Sequence, residues 1–174
     1  CRTGLAYLSM GHYPKADKTF RDVVSEWPDH PVASRCWIGI GEIHNKKQAF
    51  LEAMEAFRTS LRYATDKDDK AAASFELGKV FLRLGASREA LELLNNCLGL
   101  DQDFYKKKPE IFRLVGEAEF DLGIHDKAKE HLFRFINYQQ SAPDQDMVLA
   151  KLAEIFHTQG DQALANKLYG FIQK

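Results

Sequence analysis

Apolar residues recur at spacings of three and four along most of the chain, as they do at Leu91, Leu94 and Leu98. This periodicity is typical of amphipathic helices that bury one face. It predicts an all-α fold with helices arranged in five pairs. The predicted pairs are 1–11 with 14–27, 32–46 with 49–63, 69–84 with 87–99, 108–122 with 125–139, and 145–159 with 161–173.

Prolines support these boundaries. Pro14 and Pro109 stand where the first turn of a helix accepts proline, because the first amide groups of a helix have no internal partner. Pro28 and Pro143 fall between pairs, where proline suits a connection. Each pair is therefore predicted to be a helix–turn–helix hairpin with a short link to the next hairpin.

The pairs are copies of one pattern with a period of 37 or 38 residues. A small residue recurs in each first helix, at Gly4, Gly41, Gly78, Gly116 and Ala153. Alanine follows twelve positions later in each second helix, at Ala16, Ala53, Ala90, Ala128 and Ala165. A large apolar residue follows four positions after that, at Phe20, Phe57, Leu94, Leu132 and Tyr169. A fixed spacing kept through five copies is the mark of a repeat protein.

Two further positions complete the pattern and contain its exceptions. Three residues after the small residue the chain has Tyr7, His44, Phe81, Glu119 and Phe156. Seven residues after it, where the hairpin turns, the chain has Gly11, Gln48, Gly85, Gly123 and Gly160. Gln48 should weaken the turn preference of the second hairpin. Glu119 stands at an aromatic position, which predicts either local looseness or a pairing with a cation such as Lys127.

This arrangement resembles the tetratricopeptide repeat family, and Trp37 supplies the early tryptophan of that family's pattern in the second repeat. The resemblance implies a right-handed α-α superhelix of about five hairpins, forming one solenoid over residues 1–174. The predicted repeats are 1–30, 31–67, 68–105, 106–142 and 143–174. A standard repeat has about 34 residues. The extra residues are expected between repeats, at places such as 29–31 and 66–70, as lengthened helices or short loops.

The resemblance also implies a binding surface, because the first helices of such repeats line a concave groove. The predicted partner-binding residues are Arg35, Phe75, Lys79, Leu82, Arg83, Arg113, Glu117 and Phe120. Phe75, Leu82 and Phe120 would form an apolar shelf with basic residues beside it, which suits a peptide or protein segment with apolar anchors and some acidic character. Two alternatives stay open. Either phenylalanine could belong to the core, and Lys79 with Arg83 could be a solvated face.

One family activity is excluded by two residues. Co-chaperones of this family hold the C-terminal carboxylate of a chaperone with lysine and asparagine side chains on the first helix. The matching positions of the second repeat are Ile38 and Glu42. An acidic side chain there repels a carboxylate, so this form of peptide capture is not expected.

Composition narrows the class of function without naming a partner. A net charge of −1 gives no general attraction to nucleic acid, and no run of about 18 apolar residues predicts a membrane span. No signal peptide is visible at the start. The cysteines Cys1, Cys36 and Cys97 have no metal-ligand spacing, and Cys97 is predicted to be a small buried residue. No catalytic motif, metal site or cofactor is predicted.

The sequence therefore favours a non-catalytic scaffold that binds a protein or peptide. The junction from Trp27 to Ala33 resembles repeats of bacterial cell-envelope proteins, namely outer-membrane assembly lipoproteins and periplasmic coordinators of envelope constriction. That resemblance implies a periplasmic or envelope location, against which the unpaired cysteines weigh. The alternatives are a cytoplasmic peptide-sensing or assembly-docking module, and a segment that positions a larger enzyme. Neither end has a polar capping element, which predicts a fragment of a longer array or self-association through the ends.

Overall fold

The computed structural model describes residues 1–139 and 143–172, and within these ranges all regular structure is helical. The first helices are α1 (Arg2–Ser9), α2 (Tyr13–Glu26), α3 (Pro31–Lys46), α4 (Phe50–Tyr63), α5 (Lys67–Arg83) and α6 (Ser87–Leu100). The others are α7 (Phe104–Lys107), α8 (Glu110–Asp121), α9 (His125–Tyr138), α10 (Gln145–Thr158) and α11 (Gln162–Ile172). The all-α prediction is confirmed, and the single turn α7 is an addition to it. The predicted helix end at 173, the repeat end at 174 and the repeat boundary after 142 lie outside the described residues.

The chain divides into two compact units, Cys1–Gln102 and Asp103–Lys174. In unit 1, consecutive helices α1 to α6 pack on one another, and α1 with α3 and α3 with α5 also contact. In unit 2, α8 packs on α9, α9 on α10 and α10 on α11, while α7 packs on α8. We call the first helix of each hairpin helix A (α1, α3, α5, α8, α10) and the second helix B (α2, α4, α6, α9, α11).

The small residue of helix A allows helix B to approach closely. A β-carbon built on Gly41 would lie 2.7 Å from Cδ1 and 2.8 Å from Cζ of Phe57. One built on Gly116 would lie 2.7 Å from Cγ of Leu132. Real β-carbons do not make such contacts in a close-packed interior. The large apolar residue of helix B therefore occupies the space that a side chain on helix A would need.

The turn between helices A and B has the same backbone form in all five hairpins. Gly11, Gly85, Gly123 and Gly160 have φ between 74° and 86°, and Gln48 has φ of 60° at the equivalent place. The next residue donates its amide hydrogen back into helix A, as Ala49 does to the His44 carbonyl at 2.9 Å and Ala86 to the Phe81 carbonyl at 2.9 Å. This is the hydrogen bond of a Schellman termination.

The extra length of the repeats takes both expected forms. Residues 66–70 extend a helix, because α5 begins at Lys67 and has 17 residues. Asp66 caps this extension by accepting a hydrogen bond from the Asp69 amide at 2.8 Å. Residues 27–30 instead form a short connection between α2 and α3.

The buried interior contains thiols and, at an aromatic position of the repeat, the carboxylate of Glu119. Cys36 and Cys97 are fully buried, which confirms the prediction for Cys97, and burial raises the pKa of the Cys97 thiol to about 12. Glu119 is also buried and lies 2.7 Å from Nδ1 of His131 on α9. The predicted partner Lys127 is therefore wrong, because Glu119 pairs with His131 instead. His131 is one helical turn further along α9 than Lys127, and its shorter side chain keeps the contact inside the hairpin.

Candidate functional site

The exposed sides of the A helices of unit 1 form one face, because α3 and α5 lie parallel and in register and α1 packs on α3. Arg35, near the start of α3, donates from Nε to Asp69 near the start of α5 at 2.7 Å. Arg83, at the end of α5, donates to Oδ1 of Asn45 near the end of α3 at 3.0 Å. Two ties between equivalent ends can form only if the helices run in the same direction. We call this surface of α1, α3 and α5 the A face of unit 1.

Arg35 is the centre of a small charge network. Its guanidinium also approaches Asp66 at 3.6 Å. Burial raises the pKa of the Asp69 carboxyl above its ordinary value, and the hydrogen bond and charge of Arg35 oppose that rise. Arg35 therefore compensates a carboxylate that is largely removed from water. Its predicted role in binding a partner stays a prediction, and its evident contacts join α3 to α5.

Phe75 belongs to the core. It is 1% exposed, so its ring offers no surface to a ligand. Of the two interpretations left open for Phe75, a binding residue or a core residue, its burial favours the core residue. Lys79 lies above it, with Nζ 5.1 Å from the ring centroid and 3.0 Å from Oε2 of Glu76. The physical reason is the position of Phe75 in the middle of α5, a helix that packs on α3, α4 and α6.

Apolar side chains remain partly open on the A face. Leu82 is partly exposed near the end of α5. Ile38 and Leu8 are partly buried against the two core clusters of unit 1. Half-buried leucine and isoleucine side chains combine a fixed position with accessible apolar area, which is what an anchor side chain of a partner needs.

In unit 2 the predicted residues lie on α8 and contact α10 or its cap. Arg113 donates to Glu117 at 2.5 Å and approaches Asp144 at 3.3 Å, and the side chains of Arg113 and Glu117 are each only 14% exposed. Burial raises the pKa of Glu117, while Arg113 and Lys151 oppose the rise. These two residues pair with each other, and little of the surface of either side chain is available to a partner protein.

Phe120 is only partly buried, so it is not a core residue in the way that Phe75 is. Lys151 of α10 lies over its ring at 4.3 Å from the centroid, within the range of a cation–π contact. His125 meets the ring edge-on, with centroids 6.0 Å apart. A partner that used Phe120 would have to share the ring with these two side chains.

The predicted residues thus fall into two groups, each described by itself. Unit 1 contains Arg35, Phe75, Lys79, Leu82 and Arg83, and unit 2 contains Arg113, Glu117 and Phe120. Sequence reasoning missed the acidic and amide partners of the basic residues. A signal was present, since Arg35 and Asp69 are 34 residues apart and Asn45 and Arg83 are 38 apart, each close to one repeat.

The described residues contain neither a metal-binding cluster nor a membrane-spanning helix. Within 1–139 and 143–172, no three side chains of histidine, cysteine, aspartate or glutamate are grouped so that they could hold a metal ion. No helix in the described part of the chain combines the length and apolar character needed to cross a membrane.

Similarity to known proteins agrees with this architecture. The tetratricopeptide repeat family model matches residues 1–69. A crystal structure of MamA superposes with a TM-score of 0.75 at 16% identity, covering 98% of this chain and 92% of that one. YrrB, described as a tetratricopeptide repeat protein with an unusual peptide-binding site, gives 0.73 at 16% identity, covering 95% and 78%. PilF of Pseudomonas aeruginosa gives 0.75 at 17% identity, covering 99% and 72%. No curated protein sequence is significantly similar to the chain. At these identities the likeness shows the fold.

Proposed function

We propose that the chain, whose residues 1–69 match the tetratricopeptide repeat family model, is a non-catalytic scaffold whose A face in unit 1 receives a segment of a partner protein. The fold alone is compatible with many roles, so the argument rests on the face itself. α3 and α5 are tied in register and α1 packs on α3, and Leu8, Ile38 and Leu82 leave apolar surface partly open along these helices. This observation carries the proposal.

The chemistry of the face suits an extended or helical peptide segment. Its apolar side chains would contact apolar anchors of the partner, which supply most of the affinity at such surfaces. Lys79 and Arg83 border Leu82 and would favour carboxylates near the anchors. The similar protein YrrB has, by its description, a peptide-binding site, which supports peptide capture as a use of this architecture. The location in the bacterial cell envelope stays a prediction.

A selection experiment tests the proposal. The purified chain is used to select segments from a displayed library of random peptides, and the enriched peptides are measured by fluorescence anisotropy. Leu82→Asp places a carboxylate on the A face and should weaken binding about tenfold or more. Trp27→Asp is the control, because Trp27 is an exposed apolar residue at the end of α2, away from the A face.

The outcomes are distinct once circular dichroism shows both variants folded. Loss of binding in Leu82→Asp with retention in Trp27→Asp supports the A face. Equal binding by the parent and by Leu82→Asp would contradict it. Phe120→Asp, measured in the same way, tests the predicted contribution of unit 2 separately.

A further inference from the structure

A second surface of unit 1 combines exposed apolar side chains with unpaired positive charge. Met10, Leu51 and Leu84 are 59%, 75% and 47% exposed. Each lies where helix A passes into helix B: Met10 caps α1, Leu84 caps α5, and Leu51 is the second residue of α4. Single exposed apolar residues are common, but here each of three successive hairpins has one close to its turn. Met10 and Leu84 directly precede the turn residues Gly11 and Gly85, and Leu51 follows Gln48 by three residues.

These places share one edge of unit 1. The ties from Arg35 to Asp69 and from Asn45 to Arg83 show that α3 and α5 run parallel, and α1 also contacts α3. The turns that follow the three helices therefore lie side by side. We define the turn edge as residues 10–15, 46–52 and 83–89. Adjacent packed helices are about 8–10 Å apart, so the three apolar side chains are spread over roughly 20 Å.

The charge of the turn edge is opposite to that of the whole chain. It contains five basic residues, Lys15, Lys46, Lys47, Arg83 and Arg88, and two acidic ones, Glu52 and Glu89. The chain as a whole has a net charge of −1. Lys46, Lys47 and Arg88 are exposed, and none of these three pairs with a carboxylate in the described part of the chain. Their charge is therefore available at the surface.

We infer that the turn edge of unit 1 docks an acidic amphipathic helix of a partner protein. Apolar side chains on one face of that helix would contact Met10, Leu51 and Leu84. Its carboxylates would approach Lys46, Lys47 and Arg88. A helix rises 1.5 Å per residue, so about 14 residues cover the roughly 20 Å between the outer apolar side chains. This surface adjoins the A face at Arg83, and the inference does not depend on the function proposed for the A face.

The apolar side chains of the turn edge favour a partner that is an amphipathic helix, and the basic side chains favour a partner that is negatively charged. A purely acidic, unstructured segment would satisfy the lysines but leave Leu51 exposed to water. A basic amphipathic helix would contact the leucines but meet repulsion from five cations. An anionic membrane surface shares both features of the chemistry, and the experiment treats it as a competing outcome.

The test uses a fluorescein-labelled helix of about 18 residues with leucines on one face and glutamates on the other. Its binding to the full chain is measured by anisotropy at about 50 mM and about 300 mM NaCl, because screening weakens exposed charge contacts. A second peptide has the same composition in scrambled order, which removes the apolar face. Binding of the ordered peptide, with weaker binding at the higher salt, is expected.

Two matched double variants locate the contact. Lys46→Glu with Lys47→Glu reverses charge on the turn edge and should weaken binding about tenfold or more. Arg62→Glu with Lys67→Glu makes the same change in net charge at the opposite edge, where α4 ends and α5 begins, and should leave binding within about twofold of the parent. Circular dichroism checks that all variants stay helical.

Several results would overturn the inference. Equal effects of the two double variants would show a general charge effect, and equal binding of the scrambled peptide would remove the role of the apolar side chains. Binding of phosphatidylserine vesicles without binding of the peptide would identify a membrane surface instead. Loss of peptide binding in Leu82→Asp but not in the Lys46 and Lys47 variant would place the peptide on the A face. That last result would refute the turn edge while supporting the proposed function, so the two fail separately.

Discussion

At the scale of single residues, the turn position shows how backbone geometry constrains the choice of side chain. Four of the five turns have glycine at positive φ, and the second has Gln48 at φ of 60°. A residue with a β-carbon is strained in this conformation by about 1–2 kcal/mol. The second hairpin tolerates the strain because Gln48 is exposed and the hydrogen bond from Ala49 to His44 is kept.

Gln48→Gly should therefore stabilise the chain. The relief of strain is partly offset by the greater freedom of glycine in the unfolded state, which leaves a gain of about 0.5–1 kcal/mol. Gly85→Gln is the reciprocal control. No atom lies within 4 Å of a β-carbon built there, so the substitution adds backbone strain without a steric clash. It should lose about 1 kcal/mol. Urea unfolding followed by circular dichroism measures both, and a loss of stability in Gln48→Gly would contradict the strain argument.

The buried pair of Glu119 and His131 yields a second prediction at this scale. His131→Leu leaves a carboxylate inside unit 2 without its partner and should cost about 2–3 kcal/mol. The double variant Glu119→Leu with His131→Leu removes both polar groups and should recover much of that loss. A double-mutant cycle from unfolding curves gives the coupling. Additive single effects would show that the two side chains do not depend on each other.

At the scale of helices, the close approach of A to B depends on an absent side chain. Gly41→Ala should cost about 1–3 kcal/mol, because the new methyl group would meet the fully buried ring of Phe57. Gly99→Ala is the control within a helix, since a β-carbon at Gly99 has no neighbour within 4 Å. There the better helix propensity of alanine should dominate and stabilise by up to about 1 kcal/mol. Thermal unfolding should show a lower melting temperature for Gly41→Ala and a higher one for Gly99→Ala. Equal changes in the two variants would rule out the packing explanation.

The tie between α3 and α5 predicts a dependence on pH. In Arg35→Ala the Asp69 carboxylate loses its cation and stays largely buried, which should cost about 1–2 kcal/mol near neutral pH. This is less than for a fully buried pair, because Arg35 is itself more than half exposed to solvent.

The sign of the pH effect follows from Asp69. Burial raises its pKa in the folded chain, so the folded state holds the proton more tightly than the unfolded state does. The stabilisation from protonating Asp69 is present in acid and lost as pH rises through the folded pKa. The loss in free energy of unfolding caused by Arg35→Ala should therefore shrink as pH falls from about 7 toward about 4. Unfolding curves across this range test it, and Arg35→Ala with Asp69→Asn should show no such trend.

At the scale of the whole molecule, the two compact units differ in the number of hairpins. Unit 1 has three hairpins and unit 2 has two, with α7 added before α8. Repeat proteins need about three repeats for stability, because each hairpin buries its apolar face only against a neighbour. Residues 1–102 expressed alone should fold and unfold in one cooperative transition. Residues 103–174 alone should be markedly less stable. Circular dichroism with urea tests both, and a non-helical 1–102 fragment would contradict the division.

Much of the fold could be predicted because its determinants are local and repeated. The helices, the hairpin turns and the close contact of Gly41 with Phe57 all follow from fixed spacings that recur five times. Periodicity of this kind reports on backbone geometry, which neighbouring residues along the chain largely set. The single turn α7 escaped prediction because a stretch of four residues is too short to show a period.

The tertiary structure alone decided which side chains are buried and which are paired. Phe75 and Leu82 occupy the same helix, yet one lies in the core and the other stays partly open. Glu119 pairs with His131 rather than Lys127, and Arg35 with Asp69 from the next repeat. Burial and pairing depend on side chains brought together from different helices, and no spacing within one helix contains that information. The sequence by itself determined the helical repeats, whereas packing between helices determined which surfaces remain for a partner.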